Sequence, residues 1–90
     1  MGINKIRGGY IMEILKKEEL EAKFDSRQSF YKKAYIKYMS NGDIILQSYK
    51  TDVAIIYADG TFKAEKYSQT TNRHIREFMK QFNIDLKLFK

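Results

Sequence analysis

The sequence contains no cysteine, no proline and no tryptophan, and its only histidine is His74. Without cysteine there is no disulfide staple and no thiolate metal site. One histidine among scattered acids leaves little from which to build a zinc or catalytic cluster. No cofactor, no metal and no enzymatic activity are therefore expected. No apolar run approaches the roughly 20 residues of a membrane span, and the first residues lack the charged, hydrophobic and small-residue order of a secretory signal. These absences favour a cytoplasmic protein without a membrane partner. Acids are also scarce, 11 against 17 bases, leaving a net charge of +6. An excess of that sign favours a polyanion or an acidic protein surface as partner. A compositional source competes with this reading, because only four of the seventeen bases are Arg. Abundant Lys and absent Pro are what an AT-rich genome encodes.

What is present suffices for one domain. Of the 90 residues 43% are hydrophobic, including seven Tyr and six Phe. A chain of this length buries about 60–65% of its unfolded surface and cannot divide that between two cores. There are no repeats and no Pro- or Ser-rich linkers. Residues 1–11, MGINKIRGGYI, have neither helical nor strand periodicity and read as a leader or disordered tail, with residues 12–90 forming a single α+β domain. Arg7-Gly8-Gly9 can be encoded by a purine-rich tract like a ribosome-binding site, a few codons before Met12. Met12 is thus an alternative start, and beginning there removes Lys5 and Arg7 and lowers the net charge from +6 by 2 to +4.

Residues 16–24 carry Lys16, Lys17, Glu18, Glu19, Leu20 and Glu21, all good helix formers, and predict a short N-terminal helix. Residues 30–39 turn to Tyr, Ile and Ala with Lys interleaved, a strand with Ala34, Ile36 and Tyr38 on one face and Lys33, Tyr35 and Lys37 on the other. Asn41-Gly42 predicts a type I′ hairpin into a second strand, 44–49. Residues 53–57 are almost wholly apolar and predict the central strand, and Asp59-Gly60 leads to a polar edge strand, 61–67, which a second copy could pair with. The expected fold is α+β: a four-stranded antiparallel meander with a C-terminal amphipathic helix on one face and the short N-terminal helix. In the C-terminal helix Ser68, Thr70 and Thr71 offer capping hydroxyls, and Ile75, Phe78, Met79 and Phe82 fall at i, i+3, i+4 and i+7. Asn83 suits the left-handed position that ends it, with Ile84 closing the contact. Leu86, Leu88 and Phe89 suit a last strand or a cover for the core.

Chemistry-bearing patterns are few. His74 and Glu77 lie one helical turn apart and could form a proton relay or half a metal site, although a structural role explains them better. Ser48 has no base that sequence spacing assigns to it, and Gly42 and Gly60 are hairpin glycines rather than a phosphate cradle. Two surfaces could bind. Asn72, Arg73, Arg76 and Lys80 share the outer side of the last helix, where 72, 76 and 80 stack at i, i+4 and i+8 and could follow phosphates. Tyr31, Lys33, Tyr35 and Lys37 interleave aromatic rings with charge on the first hairpin, a pattern suited either to stacking single-stranded bases or to a protein interface.

Three segments carry a family resemblance: Asp25-Ser26-Arg27-Gln28-Ser29-Phe30-Tyr31, Gln47-Ser48-Tyr49-Lys50-Thr51-Asp52-Val53-Ala54, and Tyr67 through Phe78. Over roughly residues 25–84 the chain resembles a family of short proteins, without assigned activity, from phages and mobile elements of low-GC Gram-positive bacteria. Its most specific stretch is Tyr67-Ser68-x-Thr70-Thr71-x-Arg73-His74. Where that family has a Trp-containing strand, this chain has Lys63-Ala64-Glu65-Lys66. The resemblance implies a phage-encoded, non-enzymatic antagonist of a host defence protein or ribonucleoprotein complex, an anti-CRISPR-like inhibitor of a nuclease effector. Mimicry of DNA is disfavoured, since it needs an acidic surface. The alternative is a small basic accessory protein that binds nucleic acid.

Overall fold

The computed structural model describes residues 5–7, 10–24, 30 and 32–89. Seven strands and one α-helix follow in order: β1 Lys5–Arg7, β2 Tyr10–Met12, β3 Ile14–Glu19, β4 Ala34–Met39, β5 Ile44–Ser48, β6 Thr51–Ile56, β7 Phe62–Ala64 and α1 Gln69–Gln81, with a 3₁₀ turn at Leu86–Leu88. The strands β1 and β2 pair with each other, Lys5 opposite Met12. The remaining five form one antiparallel sheet in the order β3-β4-β5-β6-β7, each strand beside its neighbours in sequence.

The α+β architecture and the C-terminal helix agree with expectation, but the sheet has five strands where four were expected. The added strand is β3, standing where the N-terminal helix was predicted. Helix propensity differs among Lys, Glu and Leu by only tenths of a kcal/mol per residue, so tertiary pairing overrides it easily. Here the pairing runs Lys16↔Tyr38, Lys17↔Lys37, Glu18↔Ile36 and Glu19↔Tyr35, and the strand exit buries Leu20 completely. The central strand is β5, not the 53–57 run. That run looks uniformly apolar because β6 is bulged: Leu46 opposes Ala54 and Gln47 opposes Asp52, leaving Val53 as an extra residue. A bulge breaks strict alternation, so Val53 and Ala54 are buried in succession.

The turns also differ from expectation in type. Gly42 has φ +95° but Asn41 does not have positive φ, so the turn is not type I′. Gly42 N–H donates to Met39 O and Met39 N–H to Asp43 O, which is a type I turn closed by a left-handed glycine. The same pattern recurs at Gly60, with Tyr57 and Thr61 as the flanking pair. Asp43 joins the two turns, accepting from Asn41 Nδ2 and from Ala58 N–H. A Cβ on Gly42 would lie 3.1 Å from the Ala58 side chain, a tight approach that adds to the demand its φ already makes for glycine.

Ser68 caps α1 through Thr71 N–H, and Ile75, Phe78 and Met79 are fully buried. At the other end Asn83 takes φ +58°, while Ile84 N–H reaches Met79 O and Asn83 N–H reaches Lys80 O, the closing bonds of a Schellman motif. The 86–89 segment makes a 3₁₀ turn capped by Asp85, with Phe89 packed against the core, and not a strand. The core lies between α1 and one face of the sheet, where Ala34, Ile36, Leu46, Ala54 and Ile56 alternate inward. The opposite face carries no helix among the described residues.

Candidate partner-binding surface

Cross-strand register places Tyr35, Lys37, Met39, Ile45, Gln47, Ile55 and Lys63 on the face away from α1, because directly opposed residues share a face. Ile45 and Ile55 are opposed to each other at the middle of this face, and both stay half-buried. Around them lies a concavity of about 350 Å³, lined by Met39, Ile45, Val53, Ile55 and Ala64, with Lys63, Glu65 and Tyr67 at one margin. Lys37 Nζ crosses to Asp52 Oδ1 at 2.7 Å, and the Lys37 side chain is only 12% exposed. The ammonium is thus pinned beside the apolar floor, where its stem adds to the hydrophobic surface. This face can offer a partner buried apolar contact with a fixed pair of opposite charges, the composition of an interface centre and its rim.

Of the four residues singled out on the first hairpin, two stand on this face. Tyr35 and Lys37 lie on the open face as alternation required, and Tyr31 lies outside the described residues. Lys33, at the base of β4, stands 5.6 Å from the centre of the Tyr49 ring. Lys17 of β3, which sequence reasoning placed in a helix, stands 4.9 Å from the centre of the Tyr35 ring. The Tyr35 and Tyr49 rings thus each already carry an ammonium.

The helix stripe is on the other side of the molecule. Arg76 and Lys80 are exposed on the side of α1 turned from the sheet, Arg73 is half-buried, and the helix's one acid, Glu77, is buried. Asn72 has a different task. Its Oδ1 accepts from Tyr67 N–H at 2.8 Å and its Nδ2 donates to Tyr67 O at 3.2 Å, fixing the entry to the helix.

Beneath α1 the polar residues are structural in their contacts. His74 is 1% exposed, with Nδ1 2.9 Å from Ser48 Oγ and its ring edge-on to Phe30. Ser48 Oγ also lies 3.2 Å from Thr71 Oγ1. Ser48 thus has a base beside it that spacing did not assign, reached across 26 residues by the packing of α1 on β5. At 2% exposure the hydroxyl is sealed from solvent. Glu77 does not bond His74 in a relay. Its carboxylate accepts from Lys23 N–H, Phe24 N–H and Gln81 Nε2, holding the chain that leaves β3 against the helix. Sequence reasoning missed this role. The available sign was spacing: Thr71, His74 and Glu77 recur every three residues along one border of the apolar stripe.

At the β3 edge, the Tyr38 hydroxyl donates to Glu18 Oε2 at 2.8 Å. Burial, reinforced by that bond, pushes the Tyr38 phenol up to about 12. The same bond, with help from Lys16 at 3.3 Å, holds the Glu18 carboxyl below its ordinary value. Among the described residues, no group of His and acidic side chains is arranged to hold a metal ion, and no helix is long and apolar enough to cross a membrane.

No curated protein and no solved structure matches the chain. The family found by comparison spans the last two residues of β3, the strands β4 to β7, α1 and most of the 3₁₀ turn: residues 18–87 match the Family of unknown function (DUF8033), and the chain belongs to it.

Proposed function

We propose that this protein is a non-enzymatic antagonist that binds a host defence protein through the open face of its sheet, in the manner of an anti-CRISPR inhibitor of a nuclease effector complex. The observation that carries the binding surface is the concave floor around Ile45 and Ile55, beside the Lys37–Asp52 pair. Apolar area of this kind is what a protein partner desolvates, whereas a nucleic-acid groove tracks phosphates with unpaired cations. Lys37 is committed to Asp52, and the Tyr35 and Tyr49 rings carry Lys17 and Lys33. The net charge of +6 selects a partner with an acidic surface. The phage context and the defence target come from the family resemblance of the sequence.

The test is co-purification with the host's nuclease effector, followed by cleavage assays at rising ratios of protein to effector. Inhibition saturating at a fixed stoichiometry, lost in Ile55→Glu and kept in Arg76→Ala, is expected. Recovery of nucleic acid alone would overturn the proposal. A second reading, nucleic-acid binding through Arg73, Arg76 and Lys80, is favoured by the single sign of charge on the outward side of α1. It requires affinity that falls steeply with salt and a shallower salt slope in Arg76→Ala.

A further inference from the structure

The two edges of the five-stranded sheet are unlike. The strand β7 has three residues, while β3 has six and no strand on its outer side among the described residues. We propose that β3 is a homodimerisation edge, which pairs antiparallel with β3 of a second copy so that Lys17 lies opposite Glu19 of that copy. This inference does not depend on the partner proposed for the open face.

The register follows from backbone geometry. Leu20 N–H donates to Ala34 O, so Leu20 is a hydrogen-bonded partner of β4. Alternation along an antiparallel ladder then directs the backbone groups of Glu18 and Lys16 inward to β4, and those of Lys17 and Glu19 outward to the free edge. A twofold axis normal to the sheet keeps each face on its own side, so only residues on the same face can meet. The axis can therefore fall at residue 17, 18 or 19. At 17 it sets Lys17, which has no acid beside it among the described residues, against itself, and the Lys16–Glu18 pairing gained there duplicates one each strand already makes internally; at 19 it sets Glu19 against itself. At 18 it sets Lys17 against Glu19 twice, with four outward backbone hydrogen bonds between the strands.

Lysine on an edge strand ordinarily repels a second copy. Here the acid two positions later turns that repulsion into a choice of register. Both residues sit on the open face, where Lys17 is exposed and makes no ion pair among the described residues. Among the described residues Glu19 accepts from Lys32 N–H through one oxygen. On the other face the axis sets Glu18 directly opposite its own copy, but each Glu18 is already bonded to Tyr38 and paired with Lys16, which offsets the charge. The dimer would join two open faces into one continuous sheet.

The experiment is sedimentation equilibrium across the micromolar range, with circular dichroism to confirm folding. Wild type is expected to approach twice its 10.7 kDa. Lys17→Glu and Glu19→Lys, each alone, place like charges opposite and should raise the dimer dissociation constant about tenfold or more. An equimolar mixture of the two should dimerise, because both pairs between positions 17 and 19 are again of opposite sign. The double variant Lys17→Glu/Glu19→Lys should dimerise as wild type does. A monomeric wild type, a dimer indifferent to the single reversals, or a mixture that stays monomeric would overturn the proposal.

Discussion

Neighbouring residues of the same strands face two different environments: Ala34, Ile36 and Leu46 lie under α1, whereas Tyr35, Lys37 and Ile45 line the face that no helix covers among the described residues. The covered side is packed with apolar side chains and bordered by Ser48, which bonds Thr71 and His74, and by Glu77, whose carboxylate holds backbone N–H groups. The open side keeps Ile45 and Ile55 half-buried and holds one ion pair beside them. The difference separates stability from recognition. Residues that lose all contact with water hold the fold, and residues that lose half of it form the surface proposed for a partner.

Substitutions of similar chemistry on the two faces should therefore differ most. Phe78→Ala, at a fully buried position, is expected to destabilise by about 3–5 kcal/mol in urea unfolding. Ile45→Ala on the open face should cost only about 1 kcal/mol, because much of that side chain is already in water. Equal losses would mean that the open face is covered in the folded monomer. Glu77→Ala comes next, at about 2–3 kcal/mol, since it strips the partner from two backbone N–H groups after β3. Hydrogen exchange should show those two amides deprotected before the rest of the core. If they stay protected, the carboxylate is not what anchors that segment.

The smallest effect concerns the sheet border and is read by pH. The folded pKa of Tyr38 is raised to about 12 from an ordinary 10.0. Its contribution to stability should be fully present below about pH 10 and lost as pH rises towards 12. Glu18 has a lowered pKa, so its contribution should be present above its ordinary 4.5 and fade as pH falls. Unfolding free energies measured across the alkaline range should decline in wild type and less steeply in Tyr38→Phe. An identical decline in both would remove Tyr38 from the account.

Much of the covered face was legible in the sequence because its signals are local and mutually consistent. The i, i+3, i+4, i+7 stripe of α1, the Ser68 cap and the Asn83 terminus all depend on residues within a few positions. Alternation in β4 likewise assigned Tyr35 and Lys37 to one side and Ala34 and Ile36 to the other. The failures were non-local. Lys16 to Glu19 is a strand only because β4 lies beside it, and Val53 and Ala54 are buried together only because β5 forces a bulge between them. The Ser48–His74 contact and the Glu77 anchor join residues 26 and more than 50 positions apart, distances at which no spacing rule speaks. On the candidate surface, the Tyr and Lys residues were found but their pairing was not. Lys37 is engaged by Asp52 two strands away, and Tyr35 by Lys17 from a segment read as helix.

Isoleucine methyl NMR during titration with the captured partner tests the division of labour most directly, since the two faces carry isoleucines of their own. The account predicts that the methyl signals of Ile45 and Ile55 shift or broaden first, while Ile36 and Ile75 beneath the helix hold their positions. Perturbation confined to Ile75 and the α1 side, with Ile45 and Ile55 unmoved, would contradict it.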